Sequence, residues 1–212
     1  MDQELNQRLF GNEAKYVAEV LATQFRSSQG ALMMRRLEQA FAEKFESKFA
    51  ISHVNGTATM HTCLEAMGVG AGDEVIVPPL TMSATTFAVL HANATPVFAD
   101  VDPETFQIDP RFIEERITPK TKAIITVALY GLSPDMDAIM SIAKKHNLKV
   151  IEDNAQCFLG RYKGRLVGTL GHAASFSFQS SKHIASGEGG MVITNDQQIA
   201  EGVRKVCSLG YA

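Results

Sequence analysis

The chain has 212 residues, 45% of them hydrophobic and 20% charged, which is enough for one good-sized core and excludes a disordered segment. Its 20 Lys and Arg stand against 23 Asp and Glu, a formal net charge of -3, so no basic surplus draws it onto nucleic acid or an anionic membrane. The widely spaced Cys63, Cys157 and Cys207 fit reduced thiols. With no leader-like N-terminus and no apolar run near the roughly 20 residues that span a bilayer, they predict a soluble, cytoplasmic protein.

Residues 1–50 show helical spacing only. One helix is predicted through Ala14, Val17, Leu21 and Phe25, and a second through Leu32, Leu37, Phe41 and Phe45, with no strand among them. This segment is expected to be a helical arm packed on the domain or on a second subunit. From residue 51 onward seven strands are predicted, at Ile51–Val54, Glu74–Val77, Pro96–Ala99, Ala123–Ala128, Lys149–Glu152, Ala174–Phe178 and Met191–Thr194. Between them apolar residues recur at helical spacing: Met60, Leu64 and Met67, then Phe87 and Leu90, then Ile139, Ile142 and Ala143 before the basic stop Lys144-Lys145-His146. The alternation predicts an α/β fold with a mostly parallel seven-stranded sheet and helices on both faces. The chain ends directly after a helical pattern running from Gln197 to Val206, without a polar tail, and is expected to be incomplete.

Ligands of open α/β sheets bind beyond the carboxyl ends of strands, which directs attention to three places. At Asn55-Gly56-Thr57-Ala58 a small-residue turn leads from a strand into a helix, where free N–H groups and the helix dipole suit an anion such as phosphate; a plain N-cap by Thr57 is the competing expectation. At Glu152-Asp153-Asn154-Ala155-Gln156 a buried strand runs into two acids. Neighbouring strand residues face opposite ways, so the two cannot form a facing carboxylate pair, yet one alone can hold a protonated ring nitrogen or serve as a cap. At Ser175 to Lys182 alternation puts Ser175 and Ser177 on one face and Phe176 and Phe178 on the other. Lys182 then falls in a loop that continues into Gly187-Glu188-Gly189-Gly190, as a candidate amine nucleophile or a solvated lysine. Gly68-Val69-Gly70-Ala71-Gly72 lies between a helix and a strand and is predicted to be a turn rather than a dinucleotide loop. The six histidines have no metal-ligand spacing, and no metal site is predicted.

A phosphate turn, an acid at one strand end and a lysine beyond another would, if they converge, suit pyridoxal 5′-phosphate (PLP). The ordered motifs Asn55-Gly56-Thr57-Ala58, Gly72-Asp73-Glu74-Val75-Ile76-Val77-Pro78, Asp100-Val101-Asp102, Tyr130-Gly131, Glu152 to Gln156 and Ser175 to Gly190 resemble those of the DegT/DnrJ/EryC1/StrS sugar aminotransferases, over nearly the whole chain. The resemblance implies the fold type I large domain over residues 51–212, with the smaller C-terminal domain absent. It implies that Lys182 joins covalently to the cofactor and later moves a proton between the substrate carbon and C4′. It further implies that Asp153 pairs with the pyridinium nitrogen, that Gln156 lies near the phenolic oxygen, and that Gly56, Thr57 and the Ala58 amide hold the phosphate with help from Ser177. Met82 stands where relatives often stack an aromatic ring. The partners implied are an amino donor, glutamate or glutamine, and a keto-sugar acceptor, nucleotide-linked in the family pattern, or a carbocyclic ketone such as an inosose. A homodimer is implied as well. A cofactor-binding remnant or interaction module without turnover is the rival expectation for so short a chain.

Overall fold

The computed structural model describes residues 11–23 and 32–210. The chain runs through α1 (Glu13–Ala22), α2 (Leu32–Lys44), β1 (Phe49–His53), α3 (Gly56–Ala66), β2 (Glu74–Val77), α4 (Ala84–His91), β3 (Thr95–Phe98), α5 (Pro110–Glu115) and β4 (Thr121–Val127). It continues through α6 (Met136–His146), β5 (Lys149–Asp153), β6 (Arg161–Tyr162), β7 (Arg165–Leu166), β8 (Ala173–Ser177), β9 (Gly190–Thr194) and α7 (Gln197–Cys207). Seven strands form one sheet in the order β1-β9-β8-β5-β4-β2-β3. From β3 to β8 every pairing is parallel, while β9 runs antiparallel to both β8 and β1. The expected mostly parallel sheet is therefore present. Because β9 reverses between them, β1 and β8 run the same way, and the carboxyl ends of β1, β4, β5 and β8 share one edge.

The central strands are apolar on both faces, and alternation sorts their residues into separate cores. Val75, Val77, Ala123, Ile125 and Ile151 pack under α3, α4 and α7, together with Met60, Leu64, Val89 and Val203. Their neighbours Ile76, Ile124 and Val150 face the other way, against Ile113 of α5 and Met136 and Ile139 of α6. A third cluster lies on β8 and β9, where Phe41 and Phe45 stack at 4.4 Å between ring centroids and Phe176 meets them edge-on or tilted at 5.1 and 4.6 Å. The second predicted helical segment is thus pinned to the sheet by its two phenylalanines.

Several expectations are corrected. Strand β1 begins at Phe49, inside the segment read as wholly helical; Phe45 has already left α2, and Ala50 is buried under the aromatic cluster. Helix α1 buries nothing, so Ala14, Val17 and Leu21 are exposed, and Leu32 and Leu37 of α2 are exposed as well; Phe25 lies outside the described residues. Phe87 and Leu90 do not face the core. Helix α4 buries Thr85, Ala88 and Val89 instead, because small side chains let it approach the sheet closely, and a two-turn pattern offers either stripe equally. Helix α5 was not anticipated, although Asp109-Pro110 carries its signal: the Asp109 carboxylate accepts from the Arg111 N–H at 2.8 Å, and Pro110 opens the first turn. The β6–β7 ribbon turns at Lys163-Gly164, both with positive φ. As expected, Gly68 and Gly72 sit in turns with positive φ. Among the described residues no helix is long and apolar enough to cross a membrane.

Two histidines make the fold sensitive to acid. The Nδ1–H of His53 is assigned as donor to the Ile51 carbonyl at 2.9 Å, which leaves the single Nε2 lone pair facing Cys207 Sγ at 2.9 Å, with Thr62 Oγ1 2.8 Å away. The Nδ1 of His172 accepts from the Val150 N–H at 3.0 Å. Burial, the largest cause at each, holds both rings below the ordinary histidine value. A base with a depressed folded pKa binds fewer protons folded than unfolded. Its contribution is complete above about pH 6.5 and is lost as the pH falls toward the folded value. The melting temperature should therefore drop between pH 7 and pH 5, and the drop should shrink in His172→Asn, whose carbonyl can still accept from Val150. An equal drop in that variant would remove His172 from the account.

Candidate active site

A cavity of about 490 Å³ opens at the shared carboxyl edge of the sheet. The strand register explains its composition. Val127 pairs with Asp153, Asp153 with Ser175, Ser177 with Gly190, and Gly190 with His53 just ahead of the α3 turn, so one row of strand ends brings sequence-distant residues side by side. Of the residues singled out from the sequence, Gly56, Thr57, Met82, Asp153, Gln156, Ser177 and Lys182 line this cavity. Ala58 does not; it faces a neighbouring groove, and its N–H is used locally.

One end of the cavity is the start of α3, where the free N–H groups of a helix N-terminus would suit an anion. Its cap is Asn55 rather than Thr57, because Asn55 Oδ1 accepts the Ala58 N–H at 2.8 Å and the Asn55 carbonyl accepts the Thr59 N–H. The amides of Gly56 and Thr57 precede the helix's own ladder, and both residues line the cavity at the positive end of the dipole. Two glycines permit this packing. A Cβ on Gly56 would come 2.9 Å from Ser177 Cβ, and one on Gly190 would come 2.6 Å from the Asn55 carbonyl oxygen. Beneath the turn, Thr59 Oγ1 donates to the Gly56 carbonyl and meets the Ser175 hydroxyl, both side chains being fully buried. Ser175 therefore braces the turn, and Ser177 is the hydroxyl that reaches the cavity.

The two acids of β5 have opposite fates, as alternation requires. The Glu152 carboxylate turns away from the cavity and accepts three backbone N–H groups, from Gly168 at 2.7 Å, Leu170 at 2.8 Å and Gly171 at 2.6 Å. It holds the loop ahead of β8. Asp153 faces the cavity while only 5% exposed, with Oδ2 accepting from the Thr85 hydroxyl at 2.9 Å and Oδ1 from the Ala155 N–H at 3.1 Å. Burial pushes its carboxyl above the ordinary value, and these two donors and the Lys182 charge pull the other way. A cation placed in the cavity would tip that balance toward the carboxylate.

Lys182 lies in the loop between β8 and β9, on the wall between this cavity and a second one, also about 490 Å³, lined by Tyr130, Phe158 and His183. Gln156 borders both, its Oε1 fixed by the Tyr130 N–H at 2.9 Å. That bond depends on the Leu129–Gly131 turn, where Tyr130 adopts a left-handed φ of 55°. Sequence reasoning missed Thr85, whose position inside α4 gives no local sign of the acid it meets across the fold. It also passed over the side chain of Glu188 at the cavity wall, although the glycines around it were noted.

Residues 8–212 match the model of the DegT/DnrJ/EryC1/StrS aminotransferase family. The chain is 48% identical over 197 residues to a GDP-perosamine synthase of Caulobacter vibrioides, covering 93% of this chain and 53% of that protein. It is 48% identical over 169 residues to an L-glutamine:2-deoxy-scyllo-inosose aminotransferase of Streptomyces lividus, covering 80% of this chain and 40% of that protein. Among solved structures it is similar to NtdA from Bacillus subtilis with bound cofactor PMP, with a TM-score of 0.83, 31% identity, and coverage of 94% of this chain and 46% of that one. The chain thus spans about half the length of the relatives it matches. It belongs to the DegT/DnrJ/EryC1/StrS aminotransferase family.

Proposed function

We propose that this family member binds PLP in the 490 Å³ cavity and carries the cofactor half of an aminotransferase that passes an amino group from glutamate or glutamine to a keto-sugar. The observation that carries the reading is the convergence, in one cavity, of a buried carboxylate, a lysine and a helix N-terminus. The residues suit the cofactor: Asp153 is buried and already oriented by two donors, and the approach of Gly56 to Ser177 leaves no room for a side chain between turn and strand. When bound, PLP supplies a carbonyl that takes up an amine and a ring that accepts the electrons released at the substrate carbon.

The chain's own residues divide the remaining work. The amides of Gly56 and Thr57, with the Ser177 hydroxyl beside them, hold the phosphate at the positive end of α3. Asp153 holds the proton on the ring nitrogen, since an ion pair in this water-poor setting favours the charged form of both groups. Gln156, held by Tyr130, would lie against the bound cofactor, and Met82, an exposed residue of the cavity wall, would offer it apolar surface. Lys182, which lines both cavities, would supply the amine that binds the cofactor and would move the proton at the substrate carbon. The 48% identity to a GDP-perosamine synthase supports a nucleotide-linked keto-sugar as acceptor, and the equal identity to an inosose aminotransferase supports a carbocyclic ketone as the second reading. A homodimer and a cytoplasmic setting belong to the same proposal, the former supported by the exposed Phe87 and Leu90 on α4. Borohydride reduction of the PLP-treated protein should fix the cofactor on Lys182, as read by peptide mapping, in material that sediments as a dimer. A label on Lys163 would overturn the assignment, and no label with cofactor retained would remove the covalent role.

A further inference from the structure

Thr85 is fully buried on α4 between apolar neighbours, Ala88 and Val89 among them, where an aliphatic side chain of the same size would pack without a hydroxyl to satisfy. A threonine within a helix usually turns its hydroxyl back to its own helix. Here the hydroxyl leaves α4 and donates to Asp153 Oδ2 at 2.9 Å, across 68 residues of sequence. Thr85 has one proton to give. With that proton committed, Thr81 Oγ1, 3.2 Å away at the cavity wall, is the donor to Thr85, so the direction runs from Thr81 to Thr85 to Asp153. The other carboxylate oxygen is held from a different element by the Ala155 N–H. The terminal torsion of an aspartate is soft, and two donors from two elements fix its plane.

We infer that Thr85 is a positioning residue, acting through Asp153 by holding its carboxylate in the orientation that presents it to the cavity, with Thr81 as the donor behind it. This rests on the PLP reading for its consequence but not for its geometry. Among the described residues, the Lys182 charge acts on the Asp153 carboxylate; Glu152, next in sequence, faces the opposite side of the sheet. A hydroxyl donating to the ionised carboxylate stabilises that form, and donors in series strengthen one another.

The experiment compares Thr85→Val, which keeps the shape and removes the donor, with Thr85→Ser, which keeps the donor. In the chain without cofactor, the Asp153 carboxyl is followed by carbon NMR across pH and assigned with Asp153→Asn. Thr85→Val should move its titration to higher pH, and Thr85→Ser should return it to the wild-type position. PLP affinity, read from the visible absorption of bound cofactor, should weaken about tenfold in Thr85→Val and recover in Thr85→Ser. If Thr85→Val does not fold, Thr81→Val, which removes only the second donor, should shift the titration in the same direction by less. Titration of the valine variant at the wild-type position, failure of serine to rescue, or an unmoved Thr81→Val would each overturn the inference. A wild-type chain that takes up no PLP would refute the cofactor reading instead, and the carboxyl titration would still decide the role of Thr85.

Discussion

Asp153→Asn is expected to leave the fold intact and to slow the half-reaction with glutamate by roughly a hundredfold or more. Removing one partner of a buried charge pair costs about 3 kcal/mol or more, and each 1.4 kcal/mol is tenfold in rate. The asparagine keeps the shape of the side chain, and its carbonyl can still accept from Thr85 or from Ala155, so little packing is lost. What it removes is the negative charge that would hold a proton on the ring nitrogen. Because burial already disfavours the Asp153 carboxylate, the folded chain gives up no strong stabilising interaction with the substitution, and the melting temperature should change little. Stopped-flow absorbance in the cofactor band reads the rate. Near-normal rates would make Asp153 a structural cap and would remove the central support for the proposed chemistry.

The adjacent acid should behave in the opposite sense. Glu152→Ala is expected to lower stability by about 3 kcal/mol, since one carboxylate satisfies three backbone N–H groups, two of them buried, and each orphaned buried donor costs about 1–3 kcal/mol. For a domain of this size that corresponds to a fall of roughly 10 °C in melting temperature. Glu152→Gln should recover part of the loss, as its carbonyl oxygen serves some of the three donors while its amide group repels the rest. Denaturant unfolding of the three proteins measures the difference. A loss in Glu152→Ala below about 1 kcal/mol would show that the loop of Gly168, Leu170 and Gly171 finds its hydrogen bonds elsewhere.

The site was legible where its residues lie next to a break in pattern. Asn55-Gly56 and Glu152-Asp153 lie at the ends of β-branched runs and Lys182 lies in the loop after the Ser- and Phe-alternating strand, and those placements pointed to the ligand edge of an α/β sheet. The opposite facing of Glu152 and Asp153 also followed from alternation, without knowledge of the partners. Thr85 was not legible, because its role is set by contact with Asp153 and nothing within α4 marks it. The cap at Asn55 rather than Thr57 turned on the extended backbone of Asn55, a property of how β1 enters α3.

The chain by itself determined the class of fold, the seven strands to within a few residues, and which strand ends border the cavity. These follow from local periodicity, and the side-chain period of a strand or helix is a property of neighbouring residues alone. Only the tertiary structure decided which stripe of α4 is buried, that β9 reverses direction, and that Asp153, Ser177 and the α3 turn share one cavity. The physical reason is that burial and hydrogen-bond partnership are relations between elements. An exposed Phe87 and a buried Thr85 contradict the order of their hydrophobicities because close packing of a helix on a sheet selects size and hydrogen-bonding partner together, and the partner lies 68 residues away.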